Sequence, residues 1–395
     1  MSMNNAAKNI VAAVATAHAP QLFTYPPDEN PAQLDATIAA MRQLGDLLDE
    51  TRPEAILFLG SDHLETFSLT CVPAFAIVAG SRARAEFAGR SYDLPIHREM
   101  AEDILNRLVQ AGFDLAYSED ALLGHTFAVP FEFVIAGRQI PVIPFHTNVY
   151  LPPLPSPQRC AALGAEIARI VATRNERVAI IASGGMSHYP GTERYPHPEF
   201  DFDYWLISEL ERGNINALLE MTSVQLDEVG NTELLNWATM FGALGSCRGE
   251  LLQYTPTWHH GHAVMRFLPE RAKAAATPPP REPYQFRNRG FEFYRHPQAD
   301  GYKLNKFMFE LRTNAVLRRR LLRDVDDITS EWQFNATERD ALRTMIQVGE
   351  LKTISDSVAP LVKAGAHPLQ ALMSLHVLHG EKKKIAATEV RERKD

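Results

Sequence analysis

Three apolar runs in this 395-residue chain end on a histidine. Asn9 to Ala17 (NIVAAVATA) stops at His18, Ala55 to Gly60 (AILFLG) at Ser61-Asp62-His63, and Arg177 to Ser183 (RVAIIAS) runs through Gly184-Gly185-Met186-Ser187 into His188. Two neutral imidazoles and one carboxylate on one side of a sheet can hold a divalent metal and leave three positions open, the facial arrangement of non-haem Fe(II) oxygenases. His18, His63 and Glu233 have the required types. With Fe(II), such a set keeps a net single positive charge, which a monoanionic, bidentate catechol neutralises while O2 takes the remaining place. An ordinary imidazole, with a pKa of about 6.5, suits His188 to remove the second phenolic proton and return one later. His125 is of a type to donate a hydrogen bond to bound oxygen or to a substrate oxygen.

Each of these residues has a structural alternative. A single His at a strand end is more often a hydrogen-bonded structural residue than a ligand, and a Glu in a first helical turn more often complements the helix dipole. A competing cluster, Trp258-His259-His260-Gly261-His262, puts neighbouring histidines on opposite faces of a strand, where they cannot readily chelate one ion. We read it as mostly structural, with one of the three lining the pocket. His146, His197 and His376 have no evident partner in the sequence. The glycines at Gly184-Gly185 are no dinucleotide fingerprint, and no phosphate-binding Walker sequence is present.

The positioning elements follow from periodicity. Ala55 to Gly60 is apolar or Gly throughout, as expected of a strand buried on both faces of an α/β sheet, and ligands bind such sheets beyond the carboxyl ends of their strands. Between the first two strands, Ala32 to Glu50 repeats apolar residues near a 3.6 period and closes at Arg52-Pro53, so the opening is strand, helix, strand, with His18 and His63 on one edge. Further helices are predicted over His97 to Gly112, Gln158 to Arg174 and Phe202 to Arg212, and further strands over Cys71 to Val78 and Gln139 to His146. Asn231 or Thr232 is expected to cap a helix with Glu233 in its first turn, and Trp258 to Phe267 to form a last edge strand. The Arg- and Pro-rich stretch 269–300 reads as a linker. Beyond it the character changes, with helices expected over Gly301 to Leu322, Ala336 to Val348, Leu351 to Ala364 and Pro368 to His379, the first burying Leu304, Phe307, Met308 and Leu311. A charged tail, 381–395, is expected to fray. The fold class is therefore α/β, a central sheet flanked by helices over residues 1–268, with a small all-α domain over 301–380.

Bulk properties narrow the classes. At 45% hydrophobic and 22% charged residues, the chain reads as soluble and globular. A net charge of -8 argues against a nucleic-acid surface. Three scattered cysteines suit a reducing cytoplasm, residues 1–10 lack a secretory pattern, and no apolar run approaches the roughly 18 residues needed to cross a bilayer.

Taken in order, His18-Ala19-Pro20, Asp62-His63, Gly124-His125-Thr126 before Val129-Pro130, Gly184-Gly185-Met186-Ser187-His188, and Glu233 ahead of an apolar helix with Trp237 resemble the class III extradiol ring-cleavage dioxygenases, the protocatechuate 4,5-dioxygenase superfamily. The run Gly301-Tyr302-Lys303-Leu304-Asn305-Lys306 and the helices after it resemble that enzyme's small α subunit, fused here behind a catalytic β-type domain as in gallate dioxygenases. The resemblance implies Fe(II) held by His18, His63 and Glu233, His188 as acid/base, His125 as a second active-site histidine, a small aromatic diol and O2 as substrates, and a homodimer. Ser61 stands where many relatives have Asn, and His-Ala-Pro replaces the commoner His-Thr-Pro or His-Ser-Pro, so gallate or protocatechuate is not implied as substrate. A different chemistry on the same residues is a zinc-dependent hydrolase with His188 as base.

Overall fold

The computed structural model describes residues 8–269, 282–287, 294, 295, 297, 299–347 and 354–392. They fall into two compact units, the first comprising 1–66, 73–188 and 197–292 and the second 67–72, 189–196 and 293–395.

The first unit is built on an eight-stranded mixed sheet. In chain order its strands are β1 (Ile10–Thr16), β2 (Ala55–Ser61), β3 (Phe75–Val78), β6 (Ala116–Ser118), β8 (Val142–Thr147), β9 (Val178–Ser183), β10 (Cys247–Pro256) and β11 (Gly261–Pro269). A small separate sheet holds β4 (Arg82–Phe87), β5 (Arg90–Pro95) and β7 (Leu122–Leu123). The main order is β10-β11-β1-β9-β2-β8-β3-β6, and β1, β9, β2 and β8 run parallel. Their carboxyl ends therefore lie side by side, so the segments starting at Ala17, Gly184, Asp62 and Asn148 leave the sheet along one edge. Every residue of β2, β8 and β9 is buried, which explains their unbroken apolar character.

Helices cover both faces. α1 (Pro31–Thr51) starts at Asn30, whose side chain accepts from Ala32 N, and buries Leu34, Ile38, Met41, Leu44 and Leu48 at helical spacing. α2 (Arg98–Gln110), α4 (Pro157–Val171) and α5 (Phe200–Glu211) match the predicted positions. The Gly124 to Gly137 stretch forms α3 (His125–Pro130), which runs into one π-helical turn, Phe131–Ile135. α6 (Ser223–Glu228) and α7 (Leu234–Leu244) follow.

Two expectations need correction here. The strand over Trp258 to Phe267 is β11, and it is not an edge: β10, which the sequence reading passed over, pairs with its outer side along its whole length. Half-buried residues along β10 blur the alternation that marks a strand. Second, neither Asn231 nor Thr232 caps α7. Asn231 gives its side-chain amide to Asp203 and to Val229 O, so Glu233 occupies the cap position and turns its carboxylate elsewhere.

The second unit is helical: α8 (Tyr302–Thr313), α9 (Ala315–Arg323), α10 (Val325–Glu331), α11 (Ala336–Gln347), α12 (Ile354–Lys363) and α13 (Pro368–Glu392). Leu304, Phe307, Met308 and Leu311 are buried in its core, as their spacing predicts. The single helix expected over Gly301 to Leu322 is two, because Asn314 leaves helical geometry and caps α9 by accepting from Leu317 N. Asn305 is fully buried and donates to Gly301 O and Gly365 O while accepting from His367 N, which pins α8 to the start of α13. The last helix does not stop near His379 but continues to Glu392. Most of the linker expected over 269–300 lies outside the described residues. Its described piece 282–287 is tied to the first unit, Trp205 Nε1 donating to Glu282 O at 3.2 Å and Arg287 N to Glu228 Oε1 at 2.6 Å. Among the described residues no helix is long and apolar enough to cross a membrane.

Candidate metal centre

Glu233 lies at the centre of a ring of imidazoles. Its Oε1 is 3.2 Å from His18 Nε2, 2.8 Å from His63 Nε2 and 3.8 Å from His188 Nε2, and all four side chains are buried. Because β9 stands between β1 and β2 in the sheet, the loop carrying His188 leaves the edge between the segments carrying His18 and His63. Convergence of the three is thus a consequence of strand order.

Outer hydrogen bonds orient each ring. Ser183 Oγ donates its one proton to Thr126 O, so at 3.0 Å it accepts from His18 Nδ1–H and turns Nε2 toward Glu233. His188 Nδ1 lies 3.0 Å from Met186 O, a group that can only accept, which leaves Nε2 as the lone-pair nitrogen of the neutral ring. His125 gives Nδ1–H to Glu65 at 2.9 Å. His63 Nδ1 pairs with Thr126 Oγ1 at 3.1 Å. Asp62, next to His63, faces its own backbone, accepting from Glu65 N and Thr66 N and so shaping the turn that aims Glu65 at His125.

Charge follows geometry. Burial lowers the pKa of His63 to about 3 and lowers that of His188. Burial alone would raise Glu233, but His18 and His63 hold it well below the ordinary carboxylate range. Once the Nε2 protons that bridge to it leave, the ionised carboxylate and the freed imidazole lone pairs form a donor set for a cation, and it fits a divalent metal. His18, His63 and His125 also form such a group, with ligand atoms within 4.8 Å of one another. Two overlapping triads, His18/His63/Glu233 and His18/His63/His125, are therefore available.

Tyr150 belongs to this centre and was missed in the sequence. Its hydroxyl donates to Glu233 Oε1 at 2.7 Å and lies 3.3 Å from His63 Nε2 and 3.4 Å from His188 Nε2. Asn148 shapes the turn that presents it, accepting from Tyr150 N and Leu151 N. The available signal was position: Asn148-Val149-Tyr150 directly follows a buried parallel strand, where sites form.

The histidine triplet divides by face. β11 pairs antiparallel with β1, Thr16 opposite Val264, and extending that register sets His18 opposite His262, on the same face. His260, two residues from His262, stacks on His188 with ring centroids 3.9 Å apart and packs edge-on against His262 at 4.7 Å. Two of the three histidines thus line this region, where one was expected. His262 Nδ1 and Nε2 and His260 Nε2 are buried with no hydrogen-bond partner among the described residues. His259 points away, bonding to Gln21 at 2.8 Å and lying 3.4 Å from Glu29. His146 is buried within β8 against Phe127, and His197 lies in the first unit ahead of α5.

α7 secures the backbone behind the centre. Asn236 donates to Ser183 O and Trp237 Nε1 to Gly184 O, while Gly185 N donates to Glu233 Oε2. Gly184 has φ +141°, and a Cβ there would stand 2.8 Å from Glu233 Cβ. Gly184→Ala is therefore expected to displace Glu233 and weaken divalent-metal binding by about 10-fold or more while the chain stays folded, as read by calorimetric titration.

The chain is similar to known proteins. A family model described as the catalytic LigB subunit of aromatic ring-opening dioxygenase matches residues 12–265. A protein of Klebsiella pneumoniae (strain 342) named 2,3-dihydroxyphenylpropionate/2,3-dihydroxicinnamic acid 1,2-dioxygenase is 34% identical over 164 residues, which cover 41% of this chain and 52% of that protein. The protein of the same name from Escherichia coli (strain K12 / DH10B) is 33% identical over 175 residues, 44% of this chain and 55% of that one. The chain thus spans about half the length of the curated relatives it matches.

Proposed function

The chain belongs to the LigB family of catalytic subunits of aromatic ring-opening dioxygenases, and from that premise we propose that it is an Fe(II)-dependent extradiol dioxygenase acting on a small vicinal aromatic diol. The observation that carries this reading is the set of imidazoles, His18, His63 and His188, whose Nδ1 atoms are tied down and whose Nε2 atoms face one buried carboxylate.

His18, His63 and Glu233 would hold the iron. This choice over the all-histidine triad follows from charge, since one carboxylate offsets part of the metal's charge in a buried site and leaves His125 for substrate. Iron bound there supplies a redox-active Lewis acid through which electrons can pass from an electron-rich ring to O2. The chain's own residues do the rest. His188, neutral and with its Nε2 lone pair inward, takes a phenolic proton from the diol. Its stack on His260 keeps the ring plane fixed while it does so. His125, its Nδ1–H held by Glu65, presents its Nε2 edge to a substrate oxygen. Tyr150 holds Glu233 through a charge-assisted bond, so Tyr150→Phe is expected to lower kcat about 10- to 100-fold with little change in fold, measured as ring-cleavage rate per bound metal. The products retain both atoms of O2, and the ring opens beside the diol. We read the second unit as the fused counterpart of a small α subunit, and the working form as a cytoplasmic homodimer.

The test is oxygen uptake by anaerobically purified, Fe(II)-loaded protein against protocatechuate, gallate, catechol, 3-O-methylgallate, 2,3-dihydroxyphenylpropionate and dihydroxypyridines, with product absorbance followed in parallel. Uptake with a ring-opened chromophore on one diol supports the reading and names the substrate. Stoichiometric zinc with no uptake on any diol overturns it in favour of the hydrolase.

A further inference from the structure

Asp203 is a carboxylate with no exposed surface, on α5, outside the ring of imidazoles. Among the described residues no cationic side chain is bonded to it. Instead it accepts from Ser187 N at 3.2 Å and 3.1 Å, from Asn231 Nδ2 at 3.0 Å and from Tyr254 Oη at 2.7 Å. Those donors come from three separate segments. Ser187 precedes His188, Asn231 stands two residues before Glu233, and Tyr254 is on β10. A fourth segment leaves room for the group: a Cβ on Gly261 would fall 2.3 Å from Asp203 Oδ2, so the strand carrying His262 must begin with glycine for this carboxylate to fit.

An unpaired buried carboxylate is costly, and burial pushes its pKa up to about 7. Shape alone would be served by an apolar residue. The feature such a residue cannot reproduce is the simultaneous acceptance of a backbone N–H beside His188 and a side-chain amide beside Glu233. The same two segments are laced elsewhere by His188 N to Gly230 O at 3.0 Å, Ser187 Oγ to Val229 O at 2.6 Å and Gly185 N to Glu233 Oε2 at 2.8 Å, and Asp203 bonds at once to the backbone of the one and to a side-chain amide of the other.

We propose that Asp203 is a positioning residue that sets the His188 loop and the Glu233 turn in register with each other, so that base and metal ligand reach one substrate together. This rests on the dioxygenase reading for its catalytic half and on geometry alone for its metal half.

Asp203→Asn keeps the volume and presents an N–H toward Ser187 N–H. It is expected to weaken anaerobic Co(II) binding about 10-fold, read by titration, and to lower kcat per bound iron about 10- to 100-fold while KM moves less than about threefold. Tyr254→Phe removes the bond from β10 and touches neither segment, so it should leave both quantities within about twofold. If Asp203→Asn fails to fold, Asn231→Leu removes the amide bonds to Asp203 and to Val229 O, keeps the bond from Ser187 N to Asp203, and should reproduce the loss of Co(II) affinity. A lowered melting temperature with unchanged Co(II) affinity and unchanged kcat per iron overturns the proposal. Wild-type protein that takes up no oxygen on any diol overturns the dioxygenase reading instead, and the Co(II) titration then decides the role of Asp203 on its own.

Discussion

Glu233→Ala should leave a folded protein that no longer binds a stoichiometric divalent metal and cleaves diols on the order of 1,000-fold more slowly, or not at all. The argument is electrostatic as well as geometric. Glu233 has its carboxylate within 4 Å of the Nε2 atoms of His18, His63 and His188, and without it a divalent ion among these imidazoles would lose the negative charge that compensates it. Glu233→Gln, which keeps the shape and removes the charge, should lose most of the affinity too. The same experiment separates the two available triads. If His18, His63 and Glu233 hold the metal, His125→Ala retains it and loses only rate. Metal retained by Glu233→Ala and lost from His125→Ala, measured by elemental analysis after anaerobic loading, would reverse the assignment in favour of the all-histidine set.

How much of this was visible in the chain depends on the range of the interaction. The strands ending on His18, His63 and Ser183 were legible because burial on both faces writes a continuous apolar run, and the parallel order makes strand ends and site coincide. Glu233 was legible as a residue but not in its geometry, since its release from the helix turn depends on Asn231 being claimed by Asp203, 28 positions away. Tyr150 and Asp203 left no periodic trace. Each acts through contacts 83 and 16 residues distant in sequence, which no local pattern encodes. β10 hid for a related reason: its side chains are mostly half-buried, so the alternation of a two-faced strand is weak. The triplet His259-His260-Gly261-His262 was readable only as faces of a strand. Which face met the centre required the register of β11 against β1.

His188→Phe should keep the metal and lose turnover. Phenylalanine preserves the stack on His260, in which the rings are 3.9 Å apart and inclined by 12°, and it gives up only the bond to Met186 O and the inward Nε2. Metal content and anaerobic substrate affinity should therefore stay near the wild-type values, while kcat falls by about 10²- to 10⁴-fold, the usual contribution of a positioned acid or base. The pH profile gives a second, independent reading. Burial lowers the pKa of His188, so its basic form persists as the pH drops below about 6.5, the value of an exposed imidazole, and the acid limb of the wild-type kcat/KM profile should lie below that point. In His188→Phe that limb should vanish and leave a shallow rise toward high pH, as the diol ionises without help. An unchanged acid limb in the variant would place the titrating group elsewhere, and undiminished kcat would remove His188 from the proton transfer altogether.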